Sequence, residues 1–368
     1  MKNRRILVKR SDCLIFFFQD SKFHYKNYLT GKEFEASPIL AQVLAPLDRW
    51  RTFSGIERLF PEYSPASIRH SLRQLIAHTA VVVKGGTQSN REARLSVWRT
   101  WGVEARFFHF ATKNTHTSPI TIDEARFNRA LKRRQPPPSY VKCYPTRLRI
   151  RLPDPSAYLR GELPEVLLRR RTHRHFDVGK VSLEQLSILL RLTWGFTGHV
   201  RWPGLGKLPA KTSPSGGARH SLEVYLWCSR VDGLERGVYH YRADQHLLEL
   251  LKPGRVADRM PRLCGHQDWV RNCSVLFAMT TVLARVTWRY RFSRAYRVIL
   301  LEAGHFCQTF CLVATWLGLA PFCTAALDDE RIEDDLDLNA DEPVLYAGGV
   351  GIPRKLETEL STRIATTV

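Results

Sequence analysis

Three short stretches combine residue types that could do chemistry. The first is RRRTHRHF, residues 169–176. Arg170, Thr172 and Arg174 alternate, so in an extended segment they point to one side. Guanidinium forks bind phosphate through paired N–H donors, and a threonine hydroxyl adds another contact. The second is KTSPSGGARH, residues 211–220, where small residues from Ser213 to Gly217 precede Arg219 and His220. A Ser-Pro-Ser-Gly-Gly turn lets backbone N–H groups approach a ligand with no Cβ in the way. The third is WRYRFSRAYR, residues 288–297, where Arg289, Arg291, Arg294 and Arg297 surround Tyr290. Nearby positive charge favours a phenolate, which suits a general base. Each stretch also has a plainer reading: a basic surface loop, an ordinary turn and the exposed start of a helix.

Two further stretches imitate sites without completing them. DLDLNADE (335–342) starts like a calcium loop, but Ala340 stands where the loop needs glycine and Tyr346 where it needs a bidentate glutamate. GGVG (348–351) lacks the Lys-Ser/Thr of a nucleotide loop. The eight cysteines, at 13, 143, 228, 264, 273, 307, 311 and 323, form no CxxC pair. They read as small buried hydrophobes in a reducing cytosol. Cys307 and Cys311 sit one helical turn apart, but no second pair of suitable spacing completes a metal site, and no metal is expected.

These stretches need elements to position them. At 368 residues and 44% hydrophobic, the chain is long enough for two or three domains. Residues 1–86 alternate short strands (ILVKR, LIFFF, FHYKNYL, EFEAS) with three helical patterns opening at Ser37-Pro38, Ser54 and Ser64-Pro65, then a strand, TAVVVK. This suggests a winged-helix-like module whose third helix exposes Arg69, His70 and Arg73. Residues 87–155 read as a connector. It holds a helix in which Trp98, Trp101, Ala105 and Phe108 pack, and an extended linker around RRQPPPSY. A larger domain, 156–368, follows. In it a capping box opens a helix at Ser182, GVYHYRADQHLLELL reads as a hairpin, and 296–319 is a helix apolar nearly all round. The pattern is α+β with a mainly antiparallel sheet.

The net charge of +21 fits nucleic acid, an acidic peptide or an anionic cofactor as partner, or only an arginine-rich proteome. No uninterrupted run of 18 apolar residues occurs, so no membrane helix is expected, and CLIFFF is too short for a signal peptide.

In their order, RRRTHRHF, LSILLRLTWG, TSPSGGARHSLEVYL, GLERGVYHY, YRVILLEAGHFCQTFCLVATWLGL and EPVLYAGGVGIP resemble the nitroreductase superfamily, specifically its SagB-type, peptide-maturation dehydrogenase branch. The resemblance implies a cytoplasmic homodimer with FMN at the subunit interface. It places Arg170, Arg171, Thr172 and Arg174 on the first FMN motif. Arg170 takes the phosphate and Arg174 the pyrimidine edge. Ser213, Ser215 and Gly217 fall on a loop that reaches the flavin from the partner subunit, and Arg354 on a second phosphate contact. Ala325 and Ala326 stand where many relatives have a polar residue and a glycine. Arg289-Tyr290 stands where azoline oxidases carry Lys-Tyr; arginine stays protonated, so only Tyr290 can be the base. The implied activity is dehydrogenation of a ribosomally made peptide, such as azoline to azole. The expected partners are a precursor peptide, its leader bound by 1–86, and a cyclodehydratase, with neither nucleic acid nor a membrane. The alternatives are an NAD(P)H-dependent reductase of small molecules and a non-catalytic peptide- or nucleic-acid-binding scaffold.

Overall fold

The computed structural model describes residues 6–96, 102–112, 124–154 and 163–354. The chain forms two compact units, Met1–His116 and Thr117–Val368. The expected connector 87–155 is therefore divided between them, because each part packs into a different core.

In the first unit, β2 (Leu14–Gln19), β3 (Lys22–Asn27) and β4 (Glu33–Glu35) form one antiparallel sheet, and β1 (Leu7–Arg10) pairs between β5 (Arg51–Thr52) and β6 (Val81–Val83). Helices α1 (Leu40–Leu44), α2 (Phe53–Glu57) and α3 (Pro65–Ala77) pack Leu44, Ile56, Ile68, Leu72 and Leu75 onto Val8 and Tyr25. Ser64 caps α3 as its sequence predicts, accepting from Ser67 N at 3.1 Å. Ser37 does not cap α1. Its carbonyl turns to Leu40 N, and the helix begins two residues late. Helices α4 (Thr87–Ala93) and α5 (Gly102–Ala111) complete the unit. Phe107 and Phe110 of α5 pack with Cys13, Tyr28 and Leu95, whereas Ala105 is exposed. Trp98 and Trp101 lie outside the described residues.

The second unit is built on an antiparallel sheet. Its strands are β7 (Arg149–Arg151), β8 (Phe176–Asp177), β11 (Leu222–Cys228), β12 (Gly237–Arg242), β13 (Leu247–Pro253), β14 (Val275–Thr281), β15 (Ala320–Thr324) and β16 (Val344–Pro353). The order is β15-β16-β14-β11-β12-β13-β7, with β8 on the end of β16. β9 (Gly198–Trp202) and β10 (Gly206–Ala210) form a separate hairpin. The remaining helices are α6 (Glu124–Arg134), α7 (Leu163–Arg169), α8 (Leu183–Thr193), α9 (Met260–Leu263), α10 (Leu283–Thr287), α11 (Ala295–Trp316) and α12 (Asp329–Asp335). Both sheet faces are covered. Val224 and Leu226 of β11 face one core with Phe277, Phe306 and Phe310, while Tyr225 and Trp227 face another with Leu263, Val270 and Ile332. That is why β11 and β14 are buried along their whole length. Ser182 closes the expected capping box on α8.

The proline-rich stretch begins inside α6, which takes Arg133 and Arg134, and the rest of it is not a solvated linker. Tyr144 N donates to Glu249, Lys142 to Tyr225 Oη at 3.0 Å, and Ser139 O accepts from Arg285 Nε at 2.8 Å. It is a strap tied to the sheet, and β7 just after it pairs with β13. The start of a domain near 156 lies outside the described residues, but the second unit already includes these earlier segments.

α11 is long and apolar enough to cross a bilayer, yet half of its most apolar window is buried inside the protein. Its inner face carries Ala303, Phe306, Phe310 and Ala314; its outer face leaves Leu300 and Leu301 exposed. The GGVG glycines serve packing. A Cβ on Gly348 would meet the Phe310 ring, one on Gly349 the Phe322 ring and one on Gly351 the Phe176 ring, all below 3.0 Å.

Candidate active site

α11 organises the turn 213–217. Ser213 Oγ is 2.7 Å from Thr309 Oγ1, and Ser215 Oγ donates to Glu302 Oε2 at 2.8 Å. The other Glu302 oxygen accepts from Ser221 N at 3.0 Å. Ser215 Oγ also accepts from His220 N at 2.8 Å. Both serine hydroxyls are thus engaged within the chain. Gly217 has φ +62, and a Cβ there would lie 2.1 Å from Tyr290 Oη; one on Gly216 would strike Val298. Bare backbone at this turn therefore admits Tyr290 and α11, a nearer reason for glycine than ligand approach.

Arg219 and His220 face inward. The Arg219 guanidinium lies 5.3 Å from the ring centres of both Tyr140 and Trp288, and its Nε donates to Gly217 O at 3.0 Å. His220 Nε2 lies 2.9 Å from Pro209 O, and burial pushes its pKa down to about 4, so it is neutral at pH 7. Together they clamp the turn from behind.

Tyr290 stands at the front of the turn. The Arg289 guanidinium lies 5.6 Å from the centre of its ring, and Phe292 packs edge-on at 6.1 Å. The structure thus brings Tyr290, Arg289 and Gly217 together.

The cationic stretch lies elsewhere along α11. Residues 170–175 run extended beside β15, with His173 N donating to Pro321 O at 2.9 Å. His173 is buried between exposed Thr172 and Arg174, while Arg170 and Arg171 are both half-buried and His175 is exposed, so the alternation is limited to 172–174. Arg171 turns back, donating to Leu168 O and Arg170 O. Arg174 lies 5.8 Å from the Trp269 ring centre. β8 pairs Phe176 with Pro353, and this brings Arg354 to the end of the cationic segment. Among the described residues, Arg170 and Arg174 have no acidic partner, whereas neighbouring Arg169 is paired with Glu165 at 2.7 Å. Half-buried and exposed guanidinium groups beside a hydroxyl form a donor set that fits a phosphate. Ala326 closes the adjoining edge, its N–H donating to Thr324 Oγ1 at 3.1 Å.

Sequence reasoning missed Glu302, Thr309 and Lys211. Glu302 had a signal, being the lone acidic residue of the apolar helix. Burial pushes its pKa up, opposed by the Ser215 bond. Lys211 precedes the turn with its ammonium 5.3 Å from the Phe196 ring centre and 5.5 Å from that of Phe306; burial pulls its pKa down to about 8.

Residues 167–352, half of the chain, match the family model described as "Nitroreductase family", and the chain belongs to that family of oxidoreductases. Among its relatives is MJ1384 of Methanocaldococcus jannaschii, named as a nitroreductase, 28% identical over 57% of this chain and 98% of that protein. The trifolitoxin-processing protein TfxB of Rhizobium leguminosarum bv. trifolii is 29% identical over 44% of each chain. The trifolitoxin operon protein TfxC of the same organism is 25% identical over 72% of this chain and 78% of that one. Among solved structures, the Escherichia coli microcin synthetase McbBCD complex with truncated pro-MccB17 contains a chain 21% identical, with a TM-score of 0.43, covering 71% of this chain and 93% of that one.

Proposed function

We propose that the protein is an FMN-dependent dehydrogenase that acts, in the cytoplasm, on a ribosomally made peptide. The observation that carries this is that Arg170 and Arg174, with Thr172 between them, have no acidic partner among the described residues, while β16 brings Arg354 to the same segment. Family membership supplies the flavin, and the trifolitoxin relatives supply the substrate class.

Arg170 and Arg354 would hold the phosphate of the cofactor, and Arg174 would bind its pyrimidine edge. Bound FMN supplies a two-electron acceptor for hydride from a substrate carbon. Tyr290 takes the accompanying proton; Arg289, which cannot deprotonate, holds positive charge over the phenol ring. The Glu302–Ser215–His220 bonds fix the turn on which Tyr290 rests. The exposed Leu300 and Leu301 stripe on α11 supports a homodimer. The substrate reaction that best fits a base beside a hydride acceptor is oxidation of an azoline to an azole. The first unit, with Arg69, His70 and Arg73 exposed on α3, binds an acidic leader as an added strand. A cyclodehydratase forms the azoline beforehand.

The test is the absorbance spectrum of the purified protein. The expected result is a flavin spectrum, or its recovery on loading with FMN, and slow bleaching by NADPH without peptide. Protein that is colourless and cannot be loaded overturns the reading in favour of a binding scaffold. Rapid bleaching by NADPH alone points instead to a small-molecule reductase.

A further inference from the structure

The folded chain brings a third cysteine to the pair on α11. Cys307 and Cys311 lie one turn apart on the helix, and β15 places Cys323 against both. The three Sγ atoms all lie within 4.8 Å of one another. Cys307 and Cys323 are disulfide-bonded, and Cys311 Sγ lies 3.3 Å from Cys323 Sγ. The reading of all eight cysteines as inert hydrophobes is corrected here, because strand pairing brings position 323 beside the helix, which spacing along the chain does not reveal.

A bridge that only staples α11 to β15 needs two sulfurs. Here a third is held at contact distance from one of the bonded pair, on the same helix as the other. We infer that the three cysteines form a thiol–disulfide exchange centre, with Cys323 as the shared sulfur bonded alternately to Cys307 and Cys311. In the exchange the Cys311 thiolate attacks Cys323 Sγ. The 311–323 bond forms, the 307–323 bond breaks, and Cys307 leaves as a thiolate that takes up the proton Cys311 lost. No electrons are gained or lost in that step. The oxidation state of the centre is set by low-molecular-weight thiols. Two such thiols reduce the bridge, giving two protein thiols and one small disulfide; a small disulfide reverses the reaction. Cys323 is the port for this traffic, being half-buried where Cys307 and Cys311 are 3% and 8% exposed. Burial pushes the Cys311 thiol up to about 11, and the charge of Arg170 draws it back towards the thiolate that attacks.

The experiment uses the full chain equilibrated with oxidised and reduced glutathione, quenched in acid, alkylated and mapped by mass spectrometry. Wild type is expected to yield both 307–323 and 311–323 linked peptides. Cys307→Ser should retain a 311–323 bridge, Cys311→Ser a 307–323 bridge, and Cys323→Ser should leave Cys307 and Cys311 fully alkylated. Wild-type protein showing the 307–323 linkage alone, or none, overturns the proposal without recourse to any variant. So does a folded Cys307→Ser protein in which Cys311 and Cys323 alkylate completely under oxidising glutathione. Stoichiometric metal in the purified wild type, lost in each variant, would make the cluster a metal site and overturn the exchange.

Discussion

Two regions of the second unit are rich in charge and use it in opposite ways. Beneath the strap 139–144, ionisable groups form one connected chain. Lys142 and Tyr225 meet Glu342, and Tyr144 links Tyr225 to Glu249. His240 lies between Glu249 at 3.1 Å and Glu223 at 3.0 Å, and Arg285 closes the chain on Glu223. In the segment 170–174, by contrast, Arg170 and Arg174 meet no described carboxylate. Buried charge without a partner is costly, so the strap region pairs its charges to hold the fold. The cationic segment leaves these two guanidinium groups without a carboxylate among the described residues, which is what a site for the proposed cofactor phosphate requires. Charge density in the sequence is similar in kind; the pairing separates architecture from site.

Breaking the paired region should have the largest effect. Arg285→Ala leaves Glu223 buried beside His240 without its guanidinium, and frees Ser139 O and His220 O. The expected loss is about 3–5 kcal/mol by urea unfolding. A loss below about 1 kcal/mol would mean that water reaches Glu223, and the contrast between the regions would fail. The hinge between stability and chemistry is Gly217. Gly217→Ala forces a side chain into φ +62 and onto Tyr290 Oη. We expect about 1–3 kcal/mol of destabilisation. Tyr290→Phe in the same background should recover part of it, measured by thermal melts of both. No recovery would place the cost in the backbone alone.

The unpaired region should behave in reverse. Arg170→Ala and Arg174→Ala should each weaken FMN binding about ten- to a hundredfold, the cost of one charge-assisted contact. Unfolding free energy without cofactor should change by no more than about 0.5 kcal/mol. Flavin fluorescence titration checks the first and urea melts the second. A variant that loses stability without losing affinity would move its arginine into the architectural class.

Much of this was legible in the chain, for physical reasons that differ by element. The antiparallel α+β class, the Ser182 and Ser64 caps and the hairpin 237–251 are local, and short-range patterns dictate them. The roles of Arg219 and His220 were not legible, because their partners Tyr140, Trp288 and Pro209 come from other segments. The bonds of the turn's serines to Thr309 and Glu302 of α11 were not legible either, because only the fold brings that helix near. The proline stretch read as a linker since its anchors, Glu249, Arg285 and Tyr225, lie 80 or more residues away along the chain. Long-range pairing of polar groups is what a single sequence hides.

The smallest effect tests the pairing at its centre. Burial alone would lower the pKa of His240, but Glu223 and Glu249 raise it above the ordinary histidine value. The arginine and histidine partners hold Glu223 down to about 2 against its burial, and Glu249 is also lowered. A group with a raised folded pKa contributes stability that is complete below its unfolded pKa and is lost as pH rises through the folded one. The two carboxylates contribute stability that is lost only as pH falls through their depressed values. Above the ordinary carboxylate range Glu223 and Glu249 therefore stay charged, and His240 is the member of this trio that loses its charge as pH rises. Wild type should lose stability relative to His240→Gln as pH climbs from about 6.5, the ordinary histidine value, through that of the folded imidazolium. Urea melts of both proteins at several pH values measure the difference. If it stays flat across that range, His240 is neutral in the fold, and the strap is held by hydrogen bonds rather than by a buried cation between two carboxylates.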